Sequence, residues 1–333
     1  MKIIFESFLK KLFLIFFSIL LSIVFIEILL RISGATPFKK DSLKQFDEPV
    51  TNKIDNELGW IPKEGVHNFK PWAKEGKETT LTINKDKSRF INNENESLNK
   101  IVFIGGSFTQ GWGVDDKETF SYLLQKKFVD FKILNFGVGG YGGYQSLLTL
   151  ERIFQEKENV NNIVYGFLPH HEVRNVAAGS WLWLLNHFSK RGHVKLPYSS
   201  IDETNLLIRN KSTQYIKLPL SEYSAVIAKI EKKIMKFKSF KREKKQTQIS
   251  LLIIEAMHNL SIKNNSKFTI IMFRKFGDER EKRYEHFFNQ KNISNIKCYF
   301  PQGSKYIVPG DGHPNKLSHK IMSDCIFKKL KLE

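Results

Sequence analysis

The chain has 333 residues, 41% of them hydrophobic, so it can build one large domain with appendages around a sizeable core, which excludes a disordered or low-complexity protein. Its 53 Lys and Arg against 34 Asp and Glu give a formal charge of +19, pointing to nucleic acid, anionic lipid or an acidic glycan as partner. Two cysteines, Cys298 and Cys325, are too few for a disulfide scaffold or a four-cysteine zinc site; they can pair outside the cytoplasm, although spacing alone does not show it.

Residues 12–30 are mainly apolar and carry one charge, Glu27. As a helix this stretch reaches about 28 Å, close to a bilayer core. Lys10 and Lys11 precede it, Arg31 follows, and no small-x-small cleavage site follows cleanly. The run is also longer than a signal-peptide core. The expectation is an uncleaved, single-pass signal anchor within residues 1–34. Lys2, Lys10 and Lys11 stay inside and the body lies outside the cytoplasm, on the periplasmic or extracellular side. A tethered body with no zinc-finger, RNA-recognition or helix-turn-helix pattern argues against nucleic acid.

Residues 35–98 are polar and mixed, a stalk or small N-terminal subdomain with brief strands at 79–83 and 89–91. Residues 99–333 then alternate. Strands are expected at 100–104, 131–136, 162–168, 267–274 and 296–300, and helices at 120–128, 144–156, 246–262 and 317–330. That order predicts an α/β protein, a three-layer sandwich with a mainly parallel sheet and ligands at the carboxyl ends of the strands. Residues 176–245 interrupt the alternation as an insertion over the site. Within it, residues 229–245 carry nine Lys or Arg and two Glu, with Ile230, Ile234 and Phe237 at helical spacing. This is an amphipathic helix, either a solvated face or a contact for anionic headgroups or an acidic glycan. Trp181, Trp183, His187 and His193 in the same region suit sugar stacking or core packing.

Four loops carry candidate chemistry. Gly105-Gly106-Ser107, directly after a strand, can project a hydroxyl from the sheet edge beside backbone N–H donors. No Gly-Lys-Ser/Thr follows, so a phosphate loop is disfavoured. Asn135 to Gly143 is a second glycine-rich strand end without the spacing of a dinucleotide fingerprint. Pro169-His170-His171-Glu172 ends the third strand; adjacent histidines on extended chain make a poor chelate, and one of them is better read as a hydrogen-bond donor. Asp311-Gly312-His313 precedes the last helix and can supply a base with its orienting carboxylate. No metal and no cofactor is called for.

Together these loops resemble the blocks of the SGNH (GDSL-like) hydrolases over about residues 100–330. GGSFTQGWGV is similar to the first block, NFGVGGYGGYQ to the second and DGHPNKLSH to the last, while ELGWIPKEG and TINKDKSRF resemble segments ahead of the catalytic domain in membrane-anchored members. The resemblance implies a flavodoxin-like α/β/α fold with Ser107 as nucleophile, His313 as general base and Asp311 orienting it. It further implies oxyanion donors from the N–H groups of Ser107 and Gly140. The third block lacks its Asn-Asp, and His171, or else His170, takes the place of the third donor. Gly106 stands where the family usually has Asp, and the acid lies two residues before the histidine. The expected function is a serine esterase removing O-acyl groups, O-acetyl foremost, from an envelope glycan or lipid-linked saccharide. The same site is compatible with acyl transfer to a polysaccharide, a pattern the D-x-H spacing resembles, or with a non-catalytic glycan-binding protein.

Overall fold

The computed structural model describes residues 2–38, 51–71, 77–92, 99–156, 159–188, 194–275, 277–330 and 332. His193, the His187 side chain and parts of the 35–98 segment lie outside the described residues. The chain opens with α1 (Lys2–Ile32). By length and composition its Phe5–Ile32 portion suffices to cross a membrane. Two antiparallel pairs follow, β1 (Asn52–Asp55) with β2 (Gly59–Pro62) and β3 (Gly65–Phe69) with β4 (Thr79–Ile83). Then come β5 (Lys100–Gly105), α2 (Ser107–Gln110), α3 (Phe120–Gln125), β6 (Lys132–Gly137), α4 (Gly143–Glu156), β7 (Val160–Phe167) and α5 (His171–Asn175). The inserted region holds α6 (Gly179–Phe188), a hairpin of β8 (Leu196–Ile201) and β9 (Leu207–Thr213), and α7 (Ala225–Glu243). The remainder is α8 (Gln246–Lys263), β10 (Lys267–Met272), α9 (Asp278–Gln290), β11 (Ser294–Lys297) and α10 (Lys316–Lys329).

Five strands form a parallel sheet in the order β11-β10-β7-β5-β6. The central strands are apolar on both faces, as a sheet covered on both sides requires. Val102 and Ile104 of β5 join a core with α4, α8 and α9, whereas Ile101 and Phe103 join the opposite core with α3 and α10. The fold is therefore α/β in three layers, as the alternation implied. From β5 the chain runs to β6 on one side and then crosses to β7 on the other. The loops leaving these three strands thus open at a switch in strand order, where the sheet forms a crevice.

Several local expectations need correction. Residues 89–91 form no strand: Arg89 makes only single bridges, to Ile83 and Asn135, and the pairing does not extend beyond it. β11 lies earlier than the expected 296–300, and the helix at 120–128 stops at Gln125. The β1–β2 and β8–β9 hairpins and α9 were not foreseen. α9 opens on a run of charges, DEREKR, yet its Tyr284 and Phe288, one helical turn apart, are fully buried. Cys298 and Cys325 form a disulfide.

His319 of α10 stacks on Phe120, and its Nδ1 accepts the Phe120 N–H at 3.2 Å. Burial, with the charges of Arg89 and His313, lowers its pKa to about 3. An unfolded histidine titrates near 6.5, so between those values the unfolded chain binds a proton that the native chain refuses. Stability should therefore fall as pH drops from about 6.5 toward 3, by about 1.4 kcal/mol per unit for this group. Urea unfolding across that window should show a shallower dependence for His319→Gln; equal slopes for the two proteins would contradict the assignment.

Candidate active site

β5 ends at Gly105, where φ is +151° and a Cβ would stand 2.3 Å from Thr109 Oγ1 and 2.9 Å from the Gly166 carbonyl. Only glycine fits that approach. The chain turns there and places Ser107 at the first position of α2, which Gly111 closes in the left-handed region. Arg89 holds this turn from below. Its guanidinium donates to the carbonyls of Gln110 at 2.9 Å, Val114 at 2.7 Å and Gly111, and pairs with Asp116 at 3.0 Å. Asn135 at the end of β6 donates to the Thr109 carbonyl at 2.7 Å and accepts the Gly137 N–H at 2.9 Å, tying the first glycine loop to the second.

The last loop brings its histidine back to the same edge. His313 Nε2 lies 2.8 Å from Ser107 Oγ. Its Nδ1 is hydrogen-bonded to Asp311 Oδ1, and Trp112 Nε1 donates to Asp311 Oδ2 at 3.0 Å. Burial pushes the Asp311 carboxyl upward, but the hydrogen bonds from His313 and Trp112 more than offset this and hold its pKa below the ordinary value. The acid is thus ionised at neutral pH and fixes Nδ1 as the protonated nitrogen, leaving Nε2 free to accept from the serine. Asn315 caps α10, accepting from Leu317 N at 3.0 Å and Ser318 N at 3.2 Å. The disulfide closes the segment that contains this loop.

The second loop contributes Gly140, at φ +84°. A Cβ there would meet the Trp60 ring at 2.9 Å. Trp60 Nε1 donates to the Gly139 carbonyl at 3.0 Å, Gln110 Oε1 accepts the Gly139 N–H at 2.9 Å, and the Tyr141 hydroxyl donates to the Trp60 carbonyl. Residue 60 belongs to β2, so the 35–98 segment helps to build the site. Arg174 Nη1 donates to the Tyr141 carbonyl at 2.9 Å while its guanidinium lies over Trp181. Trp60, Gln110, Trp112 and Arg174 were not singled out from the sequence. Trp60, Gln110 and Trp112 stand inside the quoted ELGWIPKEG and GGSFTQGWGV segments, which was the only available signal.

His170 and His171 do not alternate as on a strand, because the loop turns at once into α5 and His170 takes a helical conformation. The His171 ring is fully buried, His170 is half-buried with its Nε2 covered, and the two rings meet edge to face with centroids 5.3 Å apart. The Tyr165 hydroxyl is 2.7 Å from His171 Nδ1; a phenol donating there places the imidazole proton on Nε2. That Nε2 approaches Gly106, where a Cβ would lie 3.0 Å from it. Tyr165 thus orients His171. Glu172 accepts from Tyr284 at 2.9 Å and Thr247 at 3.1 Å. His170 packs against Phe108, the neighbour of Ser107 that also contacts His313. Burial, then the charges of Arg174, His171, His313 and Arg274, holds His170 well below the ordinary histidine value. Burial and Arg174 do the same for His171. Both are neutral, and the Nε2 of each has no hydrogen-bond partner among the described residues.

No family model and no curated protein matches the sequence. Solved structures do. The chain is similar to a member of the lipolytic G-D-S-L family from Veillonella parvula, at 10% identity over 69% of this chain and 97% of that one, with a TM-score of 0.42. It is similar to TesA at 12% identity over 70% and 98%, with a TM-score of 0.41. A carbohydrate esterase whose active site is described as having divergent catalytic and non-catalytic binding functions matches at 13% identity over 72% and 70%, with a TM-score of 0.40. Likenesses this distant say nothing of the chemistry, for which the side-chain geometry is the ground.

Proposed function

We propose that the chain is a serine esterase of the SGNH type, removing O-acyl groups, O-acetyl foremost, from an envelope or extracellular glycan. The observation that carries this reading is the 2.8 Å contact between Ser107 Oγ and His313 Nε2, with His313 Nδ1 bound to Asp311. A serine hydroxyl needs such a base to attack at neutral pH. Oγ adds to the ester carbonyl and its proton passes to His313 Nε2. The oxyanion is held by the N–H groups of Ser107 and Gly140 and by one imidazole N–H. The imidazolium then protonates the leaving sugar oxygen, and water releases the acyl group by the same steps in reverse order. The apolar helix α1 supports display on a membrane, and the disulfide supports an oxidising compartment. The basic body favours an acidic glycan or a lipid-linked saccharide as acyl carrier.

The full-length chain in detergent should release acetate from an acetylated glycan, and a serine-directed phosphonate should label Ser107. Absence of both would overturn the proposal. Transfer to a sugar hydroxyl uses the same acyl-enzyme; acetate release with no acylated sugar formed would exclude it.

Between the two imidazoles, the packing favours His170 over the expected His171 as third donor. His170 lies against Phe108 and feels the charge of His313, whereas His171 is bound to Tyr165 beneath Gly106. His170→Ala should lower kcat by roughly 10²- to 10³-fold with little change in KM. His171→Ala should act mainly on stability. A reversed pattern in steady-state kinetics would return the role to His171.

A further inference from the structure

The apolar stripe of α7 points away from the protein. Buried against the body are Ala225, Ala228, Glu231, Met235 and Ser239, a face of small and polar residues with one large apolar side chain, Met235. Glu231 is satisfied there by the Tyr215 hydroxyl and the Leu218 N–H. Ile230, Phe237 and Phe240 are exposed, Phe237 at 84%. Lys229, Lys233, Lys236, Lys241 and Lys244 surround them in the sequence and are also exposed. A surface helix ordinarily turns its apolar side inward. An outward apolar stripe flanked by lysines is the pattern of a helix lying in a membrane interface.

The start of α7 is bolted to the end of α1. The Glu27 carboxylate accepts from Ser224 Oγ at 2.8 Å, Ala225 N at 2.9 Å and Val226 N at 3.0 Å. Arg31 donates to Glu27 at 2.7 Å and to the Tyr223 carbonyl at 2.7 Å. Glu27 lies five residues before the end of α1 at Ile32, about 7.5 Å along a helix. That length matches the interfacial layer between hydrocarbon and water, about 5–8 Å on each side. Leu220 and Tyr223, at the same junction, are largely exposed.

We infer that α7 is a second membrane contact, lying on the bilayer crossed by α1, with Phe237 and its apolar neighbours among the acyl chains and its lysines on anionic headgroups. This rests on the reading of α1 as an anchor. The contact sets the height of the catalytic body above the bilayer, because the inner side of α7 is joined to the α5–α6 segment: Arg242 donates to the Ala177 carbonyl at 2.9 Å and Ser239 Oγ accepts the Gly179 N–H at 3.0 Å.

The test uses the full chain in vesicles of phosphatidylcholine with or without phosphatidylglycerol. Both native cysteines are in the disulfide, so Phe237→Cys, Ile262→Cys and Leu20→Cys each offer one thiol for a spin label. With phosphatidylglycerol present, the label at 237 should be reached by oxygen and shielded several-fold from an aqueous nickel complex, as the label at 20 is, while the exposed position 262 stays in water. Changing the five lysines to Gln should return position 237 to water. A label at 237 as nickel-accessible as that at 262, with position 20 in lipid, overturns the contact and leaves the anchor standing. A label at 20 in water overturns the anchor reading and this one with it. Shielding of 237 in detergent that grows with protein concentration assigns the stripe to a second copy and overturns the proposal, as does shielding by a soluble polyanion but not by vesicles.

Discussion

Ser107→Ala is expected to lower kcat for ester hydrolysis by on the order of 10⁶-fold, and His313→Ala by a similar factor. The double variant should lose little more, because nucleophile and base act as one unit across their 2.8 Å contact. Asp311→Asn should cost about 10⁴-fold, since an amide no longer fixes the proton on His313 Nδ1. Ser107 closes no hydrophobic gap, so thermal unfolding of Ser107→Ala should match the parent protein. Steady-state hydrolysis of a chromogenic acyl ester, with phosphonate titration of active sites, measures all four proteins. Substantial activity in Ser107→Ala would show that the hydroxyl is not the nucleophile and would sink the esterase reading.

The largest effect on stability is expected at Arg89. Its side chain is fully buried and pairs with Asp116, which is itself almost inaccessible. Asp116 Oδ1 also accepts the Thr82 N–H at 3.1 Å. Arg89→Met would leave Asp116 charged and unpaired in the interior and would strand the carbonyls of Gln110, Gly111 and Val114, with a loss of about 3–5 kcal/mol. Arg89→Lys should recover only part, because an ammonium cannot span carbonyls that a planar guanidinium reaches in several directions. Removing Asp116 as well should restore some of the loss, and a double-mutant cycle in urea isolates the coupling. If Arg89→Met unfolded at the parent's urea midpoint, the pair would not be holding the Ser107 turn. Activity should fall along with stability, since Gln110 and Gly111 are the residues on which α2 closes.

The alternation of apolar strand runs with helical segments was enough to determine the α/β class, because strands buried on both faces must read as continuous apolar runs such as residues 101–104. Motif chemistry was enough to mark the loops that hold Ser107, Gly140, Asp311 and His313, because glycine at strand ends and a carboxylate two residues from a histidine leave local marks; the roles of these residues came from the resemblance to SGNH hydrolases. The structure then brought Ser107 and His313 together from positions 206 residues apart. No local pattern encodes such an encounter; it depends on the order of β5, β6 and β7 in the sheet.

Tertiary packing alone decided the rest. Arg89 looked like part of a short strand and became the buried clamp beneath the Ser107 turn, since its partners are carbonyls contributed by distant turns. Trp60 came from a segment read as a stalk or small N-terminal subdomain and reached Gly139 and Gly140 through β2. The relative placement of His170 and His171 followed from the immediate start of α5, which removed the alternation that an extended loop would have given. The stripe Ile230, Ile234 and Phe237 was legible as helical spacing, but spacing is the same whether a face turns in or out. Its direction was decided by where the small residues Ala225, Ala228 and Ser239 found room to pack.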